Sequence, residues 1–455
     1  MHSYPHTFNI STDIFLGIAD PDDANTVANA CLQKHFLYKV AHPYLGQGLF
    51  TGSGPVWKHH RKVLSPAFSI PVINGFFDVF NSQSRRMVSE LEEQAGKEPF
   101  DHVMLMRDSI LRISCITAFG DTEDKGKDFV KDYVNAVDEL AHILMNRLNK
   151  VWYQSDLIYK LAGLKKRETE LVNFLNLITD KVINRKKDLL KNGNNNTETK
   201  KPSFRSFLDI VLELTANESF TEDEMRQELN TMVAAAFETT SQQLVFILTM
   251  IGSYPKVQEQ VFEEVMEVIG GDRDVEKEDL PKLVYTEAVI KEILRLVAVA
   301  PLVPRYIDKD VKLKNYTLRA GSQVFFMPHG LHRTKVWGDN PEEFKPERWF
   351  DSEKLPQMNK SFAAFSLGKR SCIGRAYAMT SMKIILAHLV RQLRWTADHT
   401  KMQLGIDVTL RSTGGHEIVV ERRISNNNYQ MEKFYKSDSI IEALTGDSNS
   451  FDPFR

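Results

Sequence analysis

The chain has 455 residues, too many for one small hydrophobic core, and suits a large single domain or about two to three ordinary ones. Acidic and basic residues nearly balance at a formal net charge of −2, so overall charge argues against a nucleic-acid partner. The three cysteines, Cys31, Cys115 and Cys372, are odd in number and widely separated. They imply no disulfide framework and favour a reducing compartment.

At the amino end, the sequence predicts a strand at residues 14–18 and a helix near Asp22. Residues 1–12 lack the charged-then-apolar order of a signal peptide. No run of apolar residues approaches the roughly 20 that are needed to span a bilayer.

Helical periodicity dominates from residue 68 to residue 297, and further strands are predicted at 324–327 and 416–420. A polar low-complexity loop at 192–199 separates two helical regions. The sequence therefore predicts a mainly α protein with small β-sheets, in the α+β class.

Trp57 and Arg61 lie four residues apart and share one face of a predicted helix. An indole N–H and a guanidinium in this arrangement can both donate to one carboxylate. A half-buried tryptophan that covers an arginine stem is at least as common an explanation for an isolated pair.

The longest predicted helix opens with a capping box at Thr221 and ends near Ser253. About thirty residues at ~1.5 Å each span roughly 45 Å, enough to cross a whole domain. Three consecutive alanines in its middle let the helix lie close to a flat ligand. Glu238 and Thr239 follow them, and the threonine can bond the carbonyl one turn back and hold water. Alone, these residues also fit plain alanine packing.

Glu292 and Arg295 lie three residues apart on one face of another predicted helix. As an exposed pair they would contribute only a few tenths of a kcal/mol. Arg348 lies between this helix and the last cysteine.

The stretch 365–374 has the spacing Phe-x-x-Gly-x-Arg-x-Cys-x-Gly and precedes a long apolar-periodic helix. A thiolate at Cys372 lies against the positive end of that helix dipole, which favours the anionic, metal-binding form. Gly368 allows a tight turn, and Gly374 lets a large flat group approach the backbone. Arg370 supplies a positive charge suited to a carboxylate.

This segment resembles the haem-binding loop of the cytochrome P450 family. Together with the other motifs, the resemblance covers the chain from about residue 14 to residue 421. It implies the cytochrome P450 fold, with haem between the long helix and the helix that follows the cysteine loop. We expect a single domain over residues 1–423 that lacks the family's N-terminal anchor and first elements, and a disordered tail at 424–455.

The resemblance also implies roles for individual residues. Cys372 would be the axial ligand of the haem iron, and Glu238 and Thr239 would relay protons during oxygen activation. The cofactor-binding residues would be Trp57, Arg61, Arg305, Phe365, Gly368, Arg370 and Gly374. The buried ion network behind the haem pocket would consist of Glu292, Arg295 and Arg348.

Segments 61–68, 179–185 and 328–333 resemble the animal family 4 branch of the cytochromes P450. Many members of that branch have a glutamate, esterified to the haem, where this chain has Ala235. An alanine forms no ester, so we predict heme b that is held only by Cys372 and noncovalent contacts. Ala236 replaces the usual glycine of the branch, which adds a methyl group near the distal face.

The implied function is a haem-thiolate monooxygenase that inserts one oxygen atom from O2 into a lipophilic small molecule such as a fatty acid, hormone or xenobiotic. Its electrons would come from NADPH through NADPH–cytochrome P450 reductase, since the chain lacks a dinucleotide fingerprint. A basic cluster would steer this acidic partner. Its residues are Lys58, His59, His60, Arg61, Lys62, Lys369 and Arg375.

By resemblance, the location is the endoplasmic reticulum membrane; without an anchor it would otherwise be cytoplasmic. Apolar residues in 148–153 and 157–159 are candidates for a peripheral membrane contact or for lining of the substrate channel. Two alternatives stay open: a truncated or inactive haem-binding member, and a haem-thiolate protein that rearranges peroxides. The Glu238-Thr239 pair argues against the second.

Overall fold

The computed structural model describes residues 6–10, 13–120, 126–192, 204–217, 220–353 and 355–423. The tail predicted at 424–455 lies outside the described residues, as does nearly all of the polar loop predicted at 192–199.

Helices dominate the described part of the chain. The α-helices are α1 Pro21–Ala30, α2 His42–Leu45, α3 Gly54–Leu64, α4 Ile70–Asn74, α5 Phe77–Glu92, α6 Val103–Phe119, α7 Gly126–Asn149, α8 Asp156–Leu161, α9 Leu164–Asn192, α10 Phe207–Ala216, α11 Glu222–Ser253, α12 Pro255–Val268, α13 Val284–Leu296, α14 Pro328–Leu331, α15 Met358–Ser361 and α16 Arg375–Gln392. None of these helices combines the length and the apolar character needed to cross a bilayer.

The strands are short. They are β1 His6–Ile10, β2 Asp13–Ile18, β3 Val303–Tyr306, β4 Val311–Lys312, β5 Thr317–Leu318, β6 Gln323–Phe326, β7 Leu393–Thr396, β8 Gln403–Ile406, β9 Leu410–Gly414 and β10 Val419–Arg422. The largest sheet has the order β1-β2-β6-β3, in which β2 and β6 run parallel and the other pairs are antiparallel. The pairs β10-β7, β4-β5 and β8-β9 form two-stranded sheets. The prediction of a mainly α fold with small sheets is therefore confirmed.

Two predicted strands lie where expected, as β2 and β6, and the third is displaced. It was predicted at 416–420, but β10 begins at Val419. The preceding Ile418 forms an isolated bridge with Phe100, and the His416 ring contacts Asp101 at 3.0 Å. These contacts fasten the residues before β10 to the start of α6.

The long helix α11 is the centre of the fold. Thr221 and Glu224 form the expected capping box, and Pro255 follows the helix end. At ~1.5 Å per residue its 32 residues span about 48 Å. From residue 240 to 252 every side chain is buried, because α5, α6, α13 and α16 contribute to the same apolar core. The middle of α11 is thereby held at a fixed position inside the protein.

Candidate active site

The loop that carries Cys372 has a constrained backbone. Ser366 has a φ of 60°, the one positive value outside glycine in the described ranges, and Gly368 has a φ of 65°. A Cβ at Gly368 would lie 2.7 Å from the carbonyl group of Ala28 in α1, so the position admits no side chain. The Cys372 N–H donates to the Phe365 carbonyl oxygen at 2.8 Å, which closes the loop.

The Cys372 side chain is exposed, yet protein atoms surround it closely enough to desolvate its charge. This burial raises the pKa of the Cys372 thiol, whereas the Gly374 N–H and the charges of Arg61 and Arg375 lower it. Gly374 is also the N-cap of α16, so the sulfur lies near the positive end of that helix.

Helix α3 lies against the same loop. The Arg61 guanidinium donates to the Ser371 carbonyl oxygen at 2.9 Å. Trp57 is buried, and the Arg370 guanidinium lies 4.4 Å from the centre of its indole ring. Arg370 also donates to the carbonyl oxygen of Gly52. The structure thus brings Trp57, Arg61 and Arg370 together around the residues that precede Cys372.

Three cationic side chains share this interior region. Lys34 forms an isolated backbone bridge with Arg305, and its Nζ lies 3.6 Å from the ring centre of Tyr38. Arg305 is 2% exposed and Arg370 is 8% exposed. No sequence motif indicated Lys34. Its place in this region becomes apparent only from its pairing with Arg305 in the folded structure.

These cations have no acidic counter-ion among the described residues, and the Nε atoms of Arg305 and Arg370 are buried without a hydrogen-bond partner there. Burial and the charges of Arg305 and Arg370 hold the pKa of Lys34 well below its usual range. Burial and Arg305 lower the pKa of Arg370 to about 9. Buried cations of this kind are stabilised by an anionic ligand. The two carboxylates of a haem fit that requirement.

The middle of α11 presents one open face. After its first turn, the exposed residues of this helix are Ala235 and Thr239, which lie one turn apart. The Thr239 hydroxyl donates to the Ala235 carbonyl oxygen at 2.7 Å. Because residue 235 is an alanine, it presents a methyl group on this face rather than a carboxylate.

Glu238 lies in a closed ion quartet that the sequence motifs did not reveal. Its carboxylate accepts from Arg411 at 2.7 Å and from the Thr409 hydroxyl at 3.1 Å, and it contacts Arg107 at 3.5 Å. Both arginines also bind Asp138, at 2.6 Å from Arg107 and 3.0 Å from Arg411. The quartet connects α6, α7, α11 and β9. Glu238 therefore has two cationic partners rather than a free carboxylate.

Glu292 is the centre of a second, fully buried network. Its oxygens accept from Arg295 at 2.8 Å, from Arg348 at 3.3 Å and from the Trp349 indole at 3.0 Å. The Lys345 N–H donates to the same carboxylate at 3.1 Å. Neither Glu292 nor Arg295 is exposed. One carboxylate thus fixes α13 to the segment 345–349.

His332 connects this network to the cysteine loop, a role that sequence analysis missed. Its Nε2 accepts from the Ala363 N–H at 2.8 Å, so Nδ1 carries the proton and donates to the Arg295 carbonyl oxygen at 2.8 Å. Burial lowers the pKa of His332 to about 3, which keeps the ring neutral. The start of the loop is therefore held by the Glu292 network through one imidazole.

A cleft of about 360 Å³ lies between α13 and the cysteine loop. Its walls include Phe365, Ile373 and Met379, and Lys291 and Arg375 contribute positive charge. Among the described residues, no group of three or more His, Cys, Asp and Glu side chains could hold a metal ion.

The predicted basic cluster needs two corrections. His60 is buried at 2% exposure and pairs with Glu228 at 2.6 Å, so it is not part of a surface. Arg61 is partly buried against the cysteine loop. The members of the cluster that are exposed are Lys58, His59, Lys62, Lys369 and Arg375.

Comparison with known proteins identifies the family. A sequence model of the family described as Cytochrome P450 matches residues 18–416. This chain belongs to the cytochrome P450 family. Human cytochrome P450 4V2 is 31% identical over 404 residues, which cover 86% of this chain and 77% of the relative. Cytochrome P450 4d8 of Drosophila melanogaster is 30% identical over 429 residues, with coverages of 91% and 92%. Cytochrome P450 4c21 of Blattella germanica is 28% identical over 390 residues.

Membership confirms three predictions: the resemblance to family 4, the enzyme class of monooxygenase oxidoreductases, and heme b as a noncovalent cofactor. Noncovalent attachment agrees with the alanine at position 235.

Changing Glu292 to Gln should destabilise the protein strongly. The buried Arg295 and Arg348 would lose their counter-ion, at a cost of about 3–5 kcal/mol in the free energy of unfolding. Denaturant unfolding measures this loss. Glu342→Gln is the matched control, because Glu342 pairs with Arg333 at the surface and should contribute less than about 1 kcal/mol. Equal effects of the two substitutions would show that Glu292 is not the essential counter-ion of these arginines.

Changing Lys34 to Met should weaken the retention of haem by roughly tenfold, about 1.4 kcal/mol, because one cation of the carboxylate pocket is lost while the stem remains. The rate of haem transfer to an excess of apomyoglobin measures this change. Lys39→Met, at an exposed lysine of the same segment, should leave the rate unaltered. A Lys34→Met protein that releases haem at the wild-type rate would exclude Lys34 from the pocket.

Proposed function

We propose that this chain is a haem-thiolate monooxygenase in which Cys372 is the axial ligand, and that it oxidises a lipophilic small molecule with electrons from NADPH through a reductase. This proposal is supported by the desolvated Cys372 thiol and by buried cations near the cysteine loop that have no acidic counter-ion among the described residues. When bound, the haem supplies the oxygen activation, and the thiolate favours O–O cleavage. The protein's own side chains would bind the haem, deliver protons and dock the electron donor.

The haem carboxylates would be held by Trp57, Arg61, Arg305 and Arg370. Arg305 and Arg370 are the stronger candidates, because their buried Nε atoms have no partner among the described residues. Phe365, Gly368 and Gly374 would shape the loop itself. The two glycines allow the tight turn on α1 and the N-cap of α16.

Proton delivery would fall to Glu238 and Thr239. The Thr239 hydroxyl donates its hydrogen to the Ala235 carbonyl oxygen. The hydroxyl oxygen therefore remains as a hydrogen-bond acceptor on the open face of α11. Glu238 is held by Arg411 and Arg107, so its carboxylate must leave at least one arginine before it can carry a proton inward. Proton transfer would therefore depend on a movement of the quartet.

The electron donor would dock beside the cysteine loop. Lys58, Lys62, Lys369 and Arg375 are exposed there, and Arg375 also lines the 360 Å³ cleft. Positive charge at this face would steer an acidic flavoprotein such as NADPH–cytochrome P450 reductase. Residues 1–423 would act as one domain around this face.

The region between α7 and α9 supports a peripheral contact with the endoplasmic reticulum membrane. Trp152, Leu157 and Leu161 are 53%, 68% and 78% exposed, and Lys150 and Lys160 flank them. Exposed aromatic and aliphatic side chains beside lysines suit the membrane interface. Tyr159, which was grouped with these residues, is instead fully buried and donates to Glu168 at 2.6 Å.

The decisive test is Cys372→Ser. In the wild-type protein we expect a thiolate-type Soret band when the haem is reduced and bound to CO, together with NADPH-dependent turnover. Both should be abolished in the variant, because the hydroxyl of serine does not replace the anionic sulfur. Cys115→Ala is the control, since Cys115 is buried within an apolar cluster. A thiolate band in Cys372→Ser would overturn the proposal, and a wild-type band without turnover would favour the inactive haem-binding alternative.

Changing Thr239 to Ala should separate electron use from product formation. Without the hydroxyl oxygen, proton delivery to the reaction centre would no longer be controlled at this position. The amount of product formed per NADPH consumed should therefore fall by about 10-fold or more. Thr239→Ser keeps the hydroxyl and should retain most of the coupling. Unchanged product yield in Thr239→Ala would remove Thr239 from the mechanism.

A further inference from the structure

A buried imidazole–carboxylate pair connects α3 with α11, outside the residues assigned so far. His60 Nδ1 lies 2.6 Å from Oε1 of Glu228, and the two side chains are 2% and 0% exposed. The His60 ring packs edge-on against Phe220, with ring centres 4.7 Å apart. Glu224, which is 37% exposed, lies 3.5 Å from the other ring nitrogen.

The same carboxylate holds the loop that precedes α3. The Leu49 N–H donates to Oε1 of Glu228 at 2.7 Å. A Cβ at Gly48 would lie 2.0 Å from that oxygen, so the backbone passes directly over the carboxylate. Glu228 therefore fastens two segments, the loop 48–52 and α3, to the first third of α11.

Both fastened segments carry parts of the proposed haem pocket. His60 directly precedes Arg61 and lies three residues after Trp57. Gly52, at the end of the loop, accepts the hydrogen bond from Arg370. On α11, Thr239 follows Glu228 by eleven residues, about three turns further along the same rigid helix. Displacement of the pair would alter the distance between the carboxylate-binding groups and the open face of α11.

Holding α3 and α11 together through the buried His60–Glu228 pair lowers the stability of the fold. Oε2 of Glu228 is buried and has no hydrogen-bond partner among the described residues. A half-satisfied buried carboxylate is unfavourable, and an apolar contact would join α3 to α11 at lower cost. Such a group is expected where function requires a fixed arrangement of two elements, even at a cost in the stability of the fold.

We propose that His60 and Glu228 are positioning residues that fix the haem-carboxylate groups of α3 and the loop 48–52 relative to α11. The inference rests on the proposed function, because it assumes that haem occupies this pocket. We expect the pair to touch neither the haem nor the substrate. Its effect passes through Trp57, Arg61 and the Gly52 carbonyl.

The test compares Glu228→Gln with Glu224→Gln in the full-length haem-loaded protein. We expect Glu228→Gln to accelerate haem transfer to excess apomyoglobin by about 10- to 100-fold, the usual effect of losing a supporting contact behind a ligand. The reduced, CO-bound spectrum should stay of the thiolate type, since Cys372 is not displaced. Glu224→Gln should change neither quantity.

A purely structural role has a different signature. In that case urea unfolding would show equal losses of stability in the haem-free and haem-loaded forms, and the rate of haem transfer would be unchanged, which would overturn the proposal. If Glu228→Gln does not fold, His60→Gln serves instead, and the same two outcomes decide. A wild-type protein that takes up no haem overturns both this inference and the proposed function, whereas normal uptake with unchanged transfer in the variants overturns this inference alone.

Discussion

The architecture of the site depends on positive charge that is buried without an acidic partner among the described residues. Lys34, Arg305 and Arg370 come from three distant parts of the chain and meet next to the cysteine loop. Burial disfavours the charged form of all three, and Arg305 further lowers the pKa values of Lys34 and Arg370, so this region of the protein alone is electrostatically unfavourable. A dianionic cofactor would remove that penalty. Haem binding and the stability of this region would then be two aspects of one electrostatic balance.

Around this charge, the protein places its neutralised ion pairs where they support the loop. The Glu292 network holds the start of the loop through His332, and Arg61 holds its end through the Ser371 carbonyl. The quartet of Glu238 holds the opposite helix against α7 and β9. Paired charges thus fix the geometry around the loop, while Arg305 and Arg370, which have no acidic partner among the described residues, lie in the interior. This division separates the structural role of a charge from its binding role.

The sequence was sufficient for the features that depend on local order. The capping box at Thr221, the helix it starts and the cysteine loop are all encoded within a few neighbouring residues, and they were predicted where they occur. Lys34, His332 and the partners of Glu238 were not predictable, because each owes its role to contacts with residues far away in the chain. His60 was assigned to the basic surface for the same reason. The basic residues beside it in the sequence do not reveal that its ring is buried against Glu228, which lies far away in the chain. The strand at β10 was displaced by a tertiary bridge to Phe100.

The contact between Gly368 and the backbone of Ala28 has a consequence for folding. The turn that presents the cysteine closes directly onto α1, although hundreds of residues separate the two in the sequence. Contacts between such distant segments form late and slowly, because a long stretch of chain must first be ordered. The turn can therefore reach its folded geometry only after the long stretch of chain between it and α1 has been ordered.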